Sequence, residues 1–92
     1  MRTVELDGRK MDTRALAHRH IAAALGFPDH YGANLDALHD CLGDMPPTRV
    51  VLKHPQAMRN ALGSYALELV RVFRDEAGER ADFQFTEDAG RG

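Results

Sequence analysis

The sequence predicts an α/β fold, a small three-stranded parallel sheet packed with helices, and three observations carry that reading. Strand-like segments at 3–6, 48–53 and 83–85 are separated by stretches of helical periodicity. Each connection is long enough for the crossover that parallel strands need and hairpins do not. The middle segment holds Val50, Val51 and Leu52 as an uninterrupted apolar run, the pattern of a strand buried on both faces and central in its sheet.

The elements follow in order. Thr3 to Leu6 alternates polar and apolar, with Val4 and Leu6 on one face, and stops at the Asp7-Gly8 turn signal. Asp12 or Thr13 can cap a first helix carrying Leu16, Ala17, Ile21, Ala24 and Leu25 at helical spacing, and Gly26 with Pro28 ends it. After a loop from Pro28 to Gly32, Asn34 is a good N-cap for a short second helix with Leu35, Leu38 and Leu42 at i, i+3 and i+7. The middle strand is followed by His54-Pro55, which opens a helical stretch to about Leu62. Gly63-Ser64 interrupts it before Ala66, Leu69, Val72 and Phe73 continue the stripe towards Gly78, so a broken helical hairpin is expected. Phe83 and Phe85 define a last strand with one buried face. Residues 1–88 are expected to form a single domain and 89–92 a frayed tail.

Composition narrows the classes of function. A chain of 92 residues with 43% hydrophobic and 28% charged content suits one core. The N-terminal MRTVELDGRK is charged where a signal peptide needs an apolar stretch, and no run approaches the roughly 18 apolar residues of a membrane span. A cytoplasmic, membrane-free protein is expected. Cys41 is the one cysteine, which excludes an internal disulfide and leaves poor material for zinc; a half-apolar helix position suits a buried, unreactive thiol.

The net charge of −2 conceals a segregation. Between Arg19 and Arg49 there is no Lys or Arg, while Asp29, Asp36, Asp40 and Asp44 are all negative. From Asp75 to Asp88 six acids, the others being Glu76, Glu79, Asp82 and Glu87, face Arg80 alone in sequence. Brought together, two such zones would attract a cationic partner and repel nucleic acid. On the second helix Asp36, Asp40 and Asp44 fall at i, i+4 and i+8, away from the leucines and beside His39. Like charges at that spacing repel by roughly 0.2–0.5 kcal/mol per pair. Asp36 gains from the helix N-terminus, but Asp40 and Asp44 lie too late to do so. A solvated helix face is the plain explanation. The loop ahead of it, with His30, Tyr31, Gly32 and Asn34, adds the aromatic and hydrogen-bonding groups of an interface anchor.

The stretch from Tyr31 to Leu38, followed by Asp40, Cys41 and Leu42, resembles the loop and second helix of the barstar family, intracellular inhibitors of barnase-like ribonucleases. The similarity extends to the first strand with its Gly turn, the Leu25-x-x-Pro28 helix end, Val72-Phe73-Arg74 and the short final strand. It implies an inhibitor, not an enzyme, that needs no cofactor and plugs the active site of a small basic ribonuclease, with carboxylates in the place of RNA phosphates. A monomeric antitoxin or immunity protein is the implied form. Asp40 would be the principal phosphate mimic and Asp36 would pair with neighbouring cations. His30, Tyr31, Gly32, Asn34 and Leu35 would meet the rim of the enzyme, with His39, Gly43 and Asp44 flanking the plug. The family's acid on the later long helix aligns with Asp75, and Glu76 is its neighbour. A site that stabilises phosphate is a desolvated group of cations, which a rigid carboxylate can neutralise.

Departures from the family pattern accompany the likeness. His39 replaces a Trp before the key Asp, Gly43-Asp44-Met45 replaces a Gly-Trp pair, Ala33 stands where an acid precedes the Asn, and the chain has no Trp. These changes leave the carboxylates in place and alter their surroundings, which points to barnase-like toxins with varied active-site rims. A ring that titrates near neutral pH at His39 predicts weaker binding below about pH 6. The alternative function is a barstar-fold domain that binds another basic partner or a toxin of different chemistry. A metal site from His30, Asp36, His39 and Asp40 is disfavoured because adjacent helical residues diverge by about 100°. His18 and His20 are expected on the surface, and Ser64 at a helix break.

Overall fold

A computed structural model describes residues 1–89; residues 90–92 of the expected frayed tail lie outside the described residues. The chain runs β1 (Arg2–Asp7), a 3-10 turn (Gly8–Lys10), α1 (Arg14–Leu25), α2 (Leu35–Gly43), β2 (Thr48–Lys53), α3 (Pro55–Leu62), α4 (Ser64–Glu79) and β3 (Phe83–Asp88). The three strands are parallel in the order β1-β2-β3.

The register sets Val4 beside Val50 and Val50 beside Phe85, with Leu6 beside Leu52. Side chains of like parity share a face of the sheet, and on this face Leu6, Thr48, Val50, Leu52, Phe83 and Phe85 are buried. The central place of β2 is as the sequence predicts, but burial on both its faces is not. On the other face Glu5, Arg49, Gln84 and Thr86 are exposed and Val51 is half-buried. Arg49 there donates from Nε to Gln84 Oε1 at 3.0 Å. Val51 is one apolar residue in a polar face, so the helices pack on a single side and the fold has two layers.

Two further expectations are corrected in the helices. Thr13 Oγ1 accepts from Leu16 N and starts α1, and Gly26, at φ 73°, ends it in the left-handed region open to glycine. Leu16, however, is 40% exposed, and the inward stripe is Ala17, His18, Ile21 and Leu25. His18 takes the core position because it finds polar partners there, described below. His20 is half-buried and accepts the Asp7 N–H at Nε2, 2.8 Å away, so neither ring is a plain surface histidine. Gly63, at φ 58°, breaks α3 from α4 where the sequence places the interruption. Gly8 is required for another reason: a Cβ there would lie 2.1 Å from the His54 carbonyl oxygen. The core closes with Met11, Met45 and Met58, the leucines of α2, and Phe73 stacked on Phe85 at 5.1 Å between ring centroids.

Candidate functional site

The 26–34 loop and α2 are held by local chemistry that the sequence displays. Asn34 has extended backbone, and its Oδ1 accepts from Ala37 N at 2.8 Å while Nδ2 donates to the Gly32 carbonyl at 3.3 Å. Replacing this cap with Asn34→Ala is expected to cost about 1 kcal/mol of stability, measured as a lower urea midpoint at unchanged m. Ala33 precedes the cap at φ 53°, a left-handed conformation unfavourable for a residue with a Cβ. Leu38 and Leu42 are fully buried, which turns the opposite face of α2 outward. Leu35 is half-buried against the core.

The carboxylates then separate into two populations. In the C-terminal acidic zone, distant cations supply what the sequence lacks locally. Glu87 binds Arg59 and Arg74, Lys53 Nζ lies 2.7 Å from Asp88, and Arg80 pairs with both Glu76 and Asp82. The charge of that zone is therefore partly neutralised, with Asp75 and Glu79 left without a Lys or Arg partner among the described residues. On α2, Asp36, Asp40 and Asp44 are exposed and make no ion pair with Lys or Arg among the described residues; Asp40 has only His39 Nδ1, 3.8 Å away. Asp29 and Asp75 are likewise exposed and free of such a pair. Asp40 and Asp44 line a groove of about 650 Å³ with His30, Tyr31 and Gly32, whereas Asp36 lies beside a second groove with Arg14 and Tyr65. At the edge of the first groove Cys41 is half-buried, and burial, then the charges of Asp44 and Asp40, push its thiol up, which makes it a poor nucleophile.

Over residues 1–88 the chain matches Barstar (barnase inhibitor). The chain belongs to the barstar family. It is also 40% identical over 85 residues to YrdF of Bacillus subtilis (strain 168), whose name describes a candidate ribonuclease inhibitor; the match spans 89% of this chain and 92% of the relative. Membership of the barstar family gives the protein a barnase-inhibitor-like role, with a ribonuclease as the kind of partner, and sets it among inhibitors and not enzymes. None of the helices in the described residues is long and apolar enough to cross a membrane.

Against the barstar pattern, the expected contact residues do not all face outward. His30, Gly32, Asp36, His39, Asp40, Gly43, Asp44 and Asp75 are exposed. Tyr31 is half-buried, its ring 5.0 Å from Phe27 and its hydroxyl committed to His18. Asn34 is also exposed, although its Oδ1 caps α2 and its Nδ2 bonds the Gly32 carbonyl. Glu76 is 4% exposed and held by Arg80, so on this turn of α4 the accessible acid is Asp75. Of the residues weighed from sequence for metal ligation, only His39 belongs to a group of close ligand atoms among the described residues. His39, Glu76 and Glu79 place ligand atoms within 4.8 Å of one another, but the Arg80 guanidinium on Glu76 already supplies the positive charge. Sequence reasoning missed Arg80 as a support of this surface. It donates to the carbonyls of Leu42 at 3.0 Å and Met45 at 2.8 Å, and no local pattern announces bonds across 38 and 35 residues.

Proposed function

We propose that the protein inhibits a small barnase-like ribonuclease by plugging its active site with the exposed acids of α2 and the loop before it. The observation that carries this reading is that Asp36, Asp40 and Asp44 have no Lys or Arg partner among the described residues, while the C-terminal acids are largely paired. A helix selected only for stability would not keep three like charges at i, i+4 and i+8. Asp40, between His39 and the groove, is the phosphate mimic, and Asp36 meets cations at the side of the cleft. His30, Tyr31, Gly32, Asn34 and Leu35 meet the rim of the enzyme, with Tyr31 and Asn34 contributing through their outer edges and backbone. Asp75 supplies the acid of the long helix, while its neighbour Glu76 is buried and held by Arg80. The protein acts as a monomeric cytoplasmic antitoxin.

The test is a titration of the protein into barnase-type ribonucleases, following RNA cleavage. Stoichiometric inhibition, relieved by excess mononucleotide, is expected. The association rate should fall steeply as salt rises from about 0.05 to 0.5 M, because charge steers the encounter. Absence of inhibition in every ribonuclease tried, with tight binding to some other basic protein, would move the assignment to the alternative, a barstar-fold domain with a different basic partner.

A further inference from the structure

His18 is 1% exposed, and both of its ring nitrogens are engaged. Nδ1 lies 2.7 Å from the Tyr31 hydroxyl and Nε2 2.6 Å from the Tyr65 hydroxyl. Tyr31 belongs to the loop that leads into α2, and Tyr65 to the first turn of α4. The other side-chain hydrogen bonds of that loop, among the described residues, run from Asn34 to Gly32 and cap α2 at Ala37. The ring of His18 is thus the polar tie between the loop and the helical layer. We propose that His18 is the positioning residue of the recognition loop: neutral, it clamps Tyr31 in place, and protonated, it releases the loop and weakens partner capture. This inference rests on the reading of the loop and α2 as the partner-binding surface.

A neutral imidazole offers one N–H and one lone pair, so one tyrosine accepts from it and the other donates to it. A protonated ring donates at both nitrogens. The phenol that had donated must then turn its hydrogen away inside a buried site, where an unpaired polar group is costly. The surroundings give the added charge little help. Tyr31 faces the ring from the loop and Tyr65 from α4, where Glu68 is felt by Tyr65. From α1 itself Arg14 sits 4.3 Å from the centre of the Tyr65 ring, and Arg19 and Asp29 line the shallow groove alongside His18. Among the described residues no carboxylate bonds the imidazole. Burial accordingly holds His18 below the usual histidine range, and burial pushes both tyrosines up, so they stay phenols. Tyr65 is anchored in a 16-residue helix and Tyr31 in a loop, so the loop is the side that yields.

The sign follows from the lowered folded-state value. The contribution of neutral His18 is complete above the ordinary histidine value of about 6.5 and is lost as pH falls below it. His20, also held down chiefly by burial, acts in the same direction.

The test needs no partner. Two-dimensional NMR of the free protein from pH 8 to 5 reads the His18 ring and the amides of residues 29–33 together, in a His30→Gln background that leaves no imidazole in the loop. The loop amides are expected to move with the His18 midpoint, and His18→Gln should abolish that movement. Loop amides that ignore the His18 midpoint, or that shift equally in His18→Gln, would overturn the proposal. Should His18→Gln not fold, Tyr31→Phe keeps the Tyr65 bond and must still uncouple the loop from His18. Inhibition assays then separate the two readings. Coupling without inhibition of any ribonuclease sinks the proposed function alone, and inhibition without coupling sinks this inference alone. With both intact, affinity should fall further between pH 7.5 and 5.5 in the parent than in His18→Gln, by less than the roughly tenfold that an imidazole at the ordinary value of about 6.5 would give.

Discussion

Asp40→Ala is expected to abolish stoichiometric inhibition of the cognate ribonuclease while leaving the melting temperature almost unchanged. In the free protein the Asp40 carboxylate is exposed and touches only the His39 ring at 3.8 Å. Its removal costs the fold little, and relief of repulsion from Asp36 and Asp44 offsets part of that. In the complex the same carboxylate would be desolvated among cations. Truncating one member of such a pair leaves the others buried and unmatched, a loss of about 2–5 kcal/mol, a range that barnase–barstar complexes themselves helped to define. That is a fall in affinity from about thirtyfold to several thousandfold, read as a faster dissociation rate. Asp44→Ala, beyond the last turn of α2, is expected to act mainly on association. An Asp40→Ala protein that inhibits as well as the parent would refute the assigned role.

Arg80→Ala is expected to produce the largest loss of stability among single polar substitutions, a fall in melting temperature on the order of 10 °C or more. The guanidinium serves four acceptors at once: the Asp82 carboxylate, the Glu76 carboxylate, and the carbonyls of Leu42 and Met45. Without it Glu76, 4% exposed, becomes a buried charge with no cation, and the end of α2 loses its external donors. Arg80→Lys cannot restore the set, because a point charge lacks the planar fork that reaches several acceptors. Adding Glu76→Gln to Arg80→Ala should recover part of the loss, since the orphaned carboxylate is its main source. Thermal unfolding of the three variants checks this. Binding should weaken as well, because the seam that Arg80 closes holds the C-terminal end of α2.

The local pieces of the fold and the site are legible in the sequence because their causes are local. The Thr13 and Asn34 caps, the Gly26 stop, the break at Gly63 and the leucine stripe of α2 each depend on residues within about one turn of one another, and each stands where its pattern indicates. The unpaired state of Asp36, Asp40 and Asp44 agrees with the lack of Lys or Arg between Arg19 and Arg49, but that local pattern alone does not decide it, because the equally cation-poor C-terminal zone is paired from other elements. What failed depends on partners far along the chain. Val51 belongs to a face whose other members, on β1 and β3, are polar, and the run Val50-Val51-Leu52 does not show that. Glu87 and Asp88 look unpaired until Arg59, Arg74 and Lys53 arrive from other elements. His18 looks like a surface ring until Tyr31 and Tyr65 close on it from 13 and 47 residues away.

The most direct measurement of the central claim is a double-mutant cycle between Asp40→Ala and the replacement by Ala of each cationic side chain in the active site of the inhibited ribonuclease, with dissociation constants read at fixed salt. The account predicts a coupling energy well above 1 kcal/mol between Asp40 and at least one catalytic cation, and a smaller coupling between Asp36 and a cation at the rim. Coupling near zero between Asp40 and every active-site cation, with inhibition intact, would contradict it, because the carboxylate would then not be standing where the phosphate of the substrate stands.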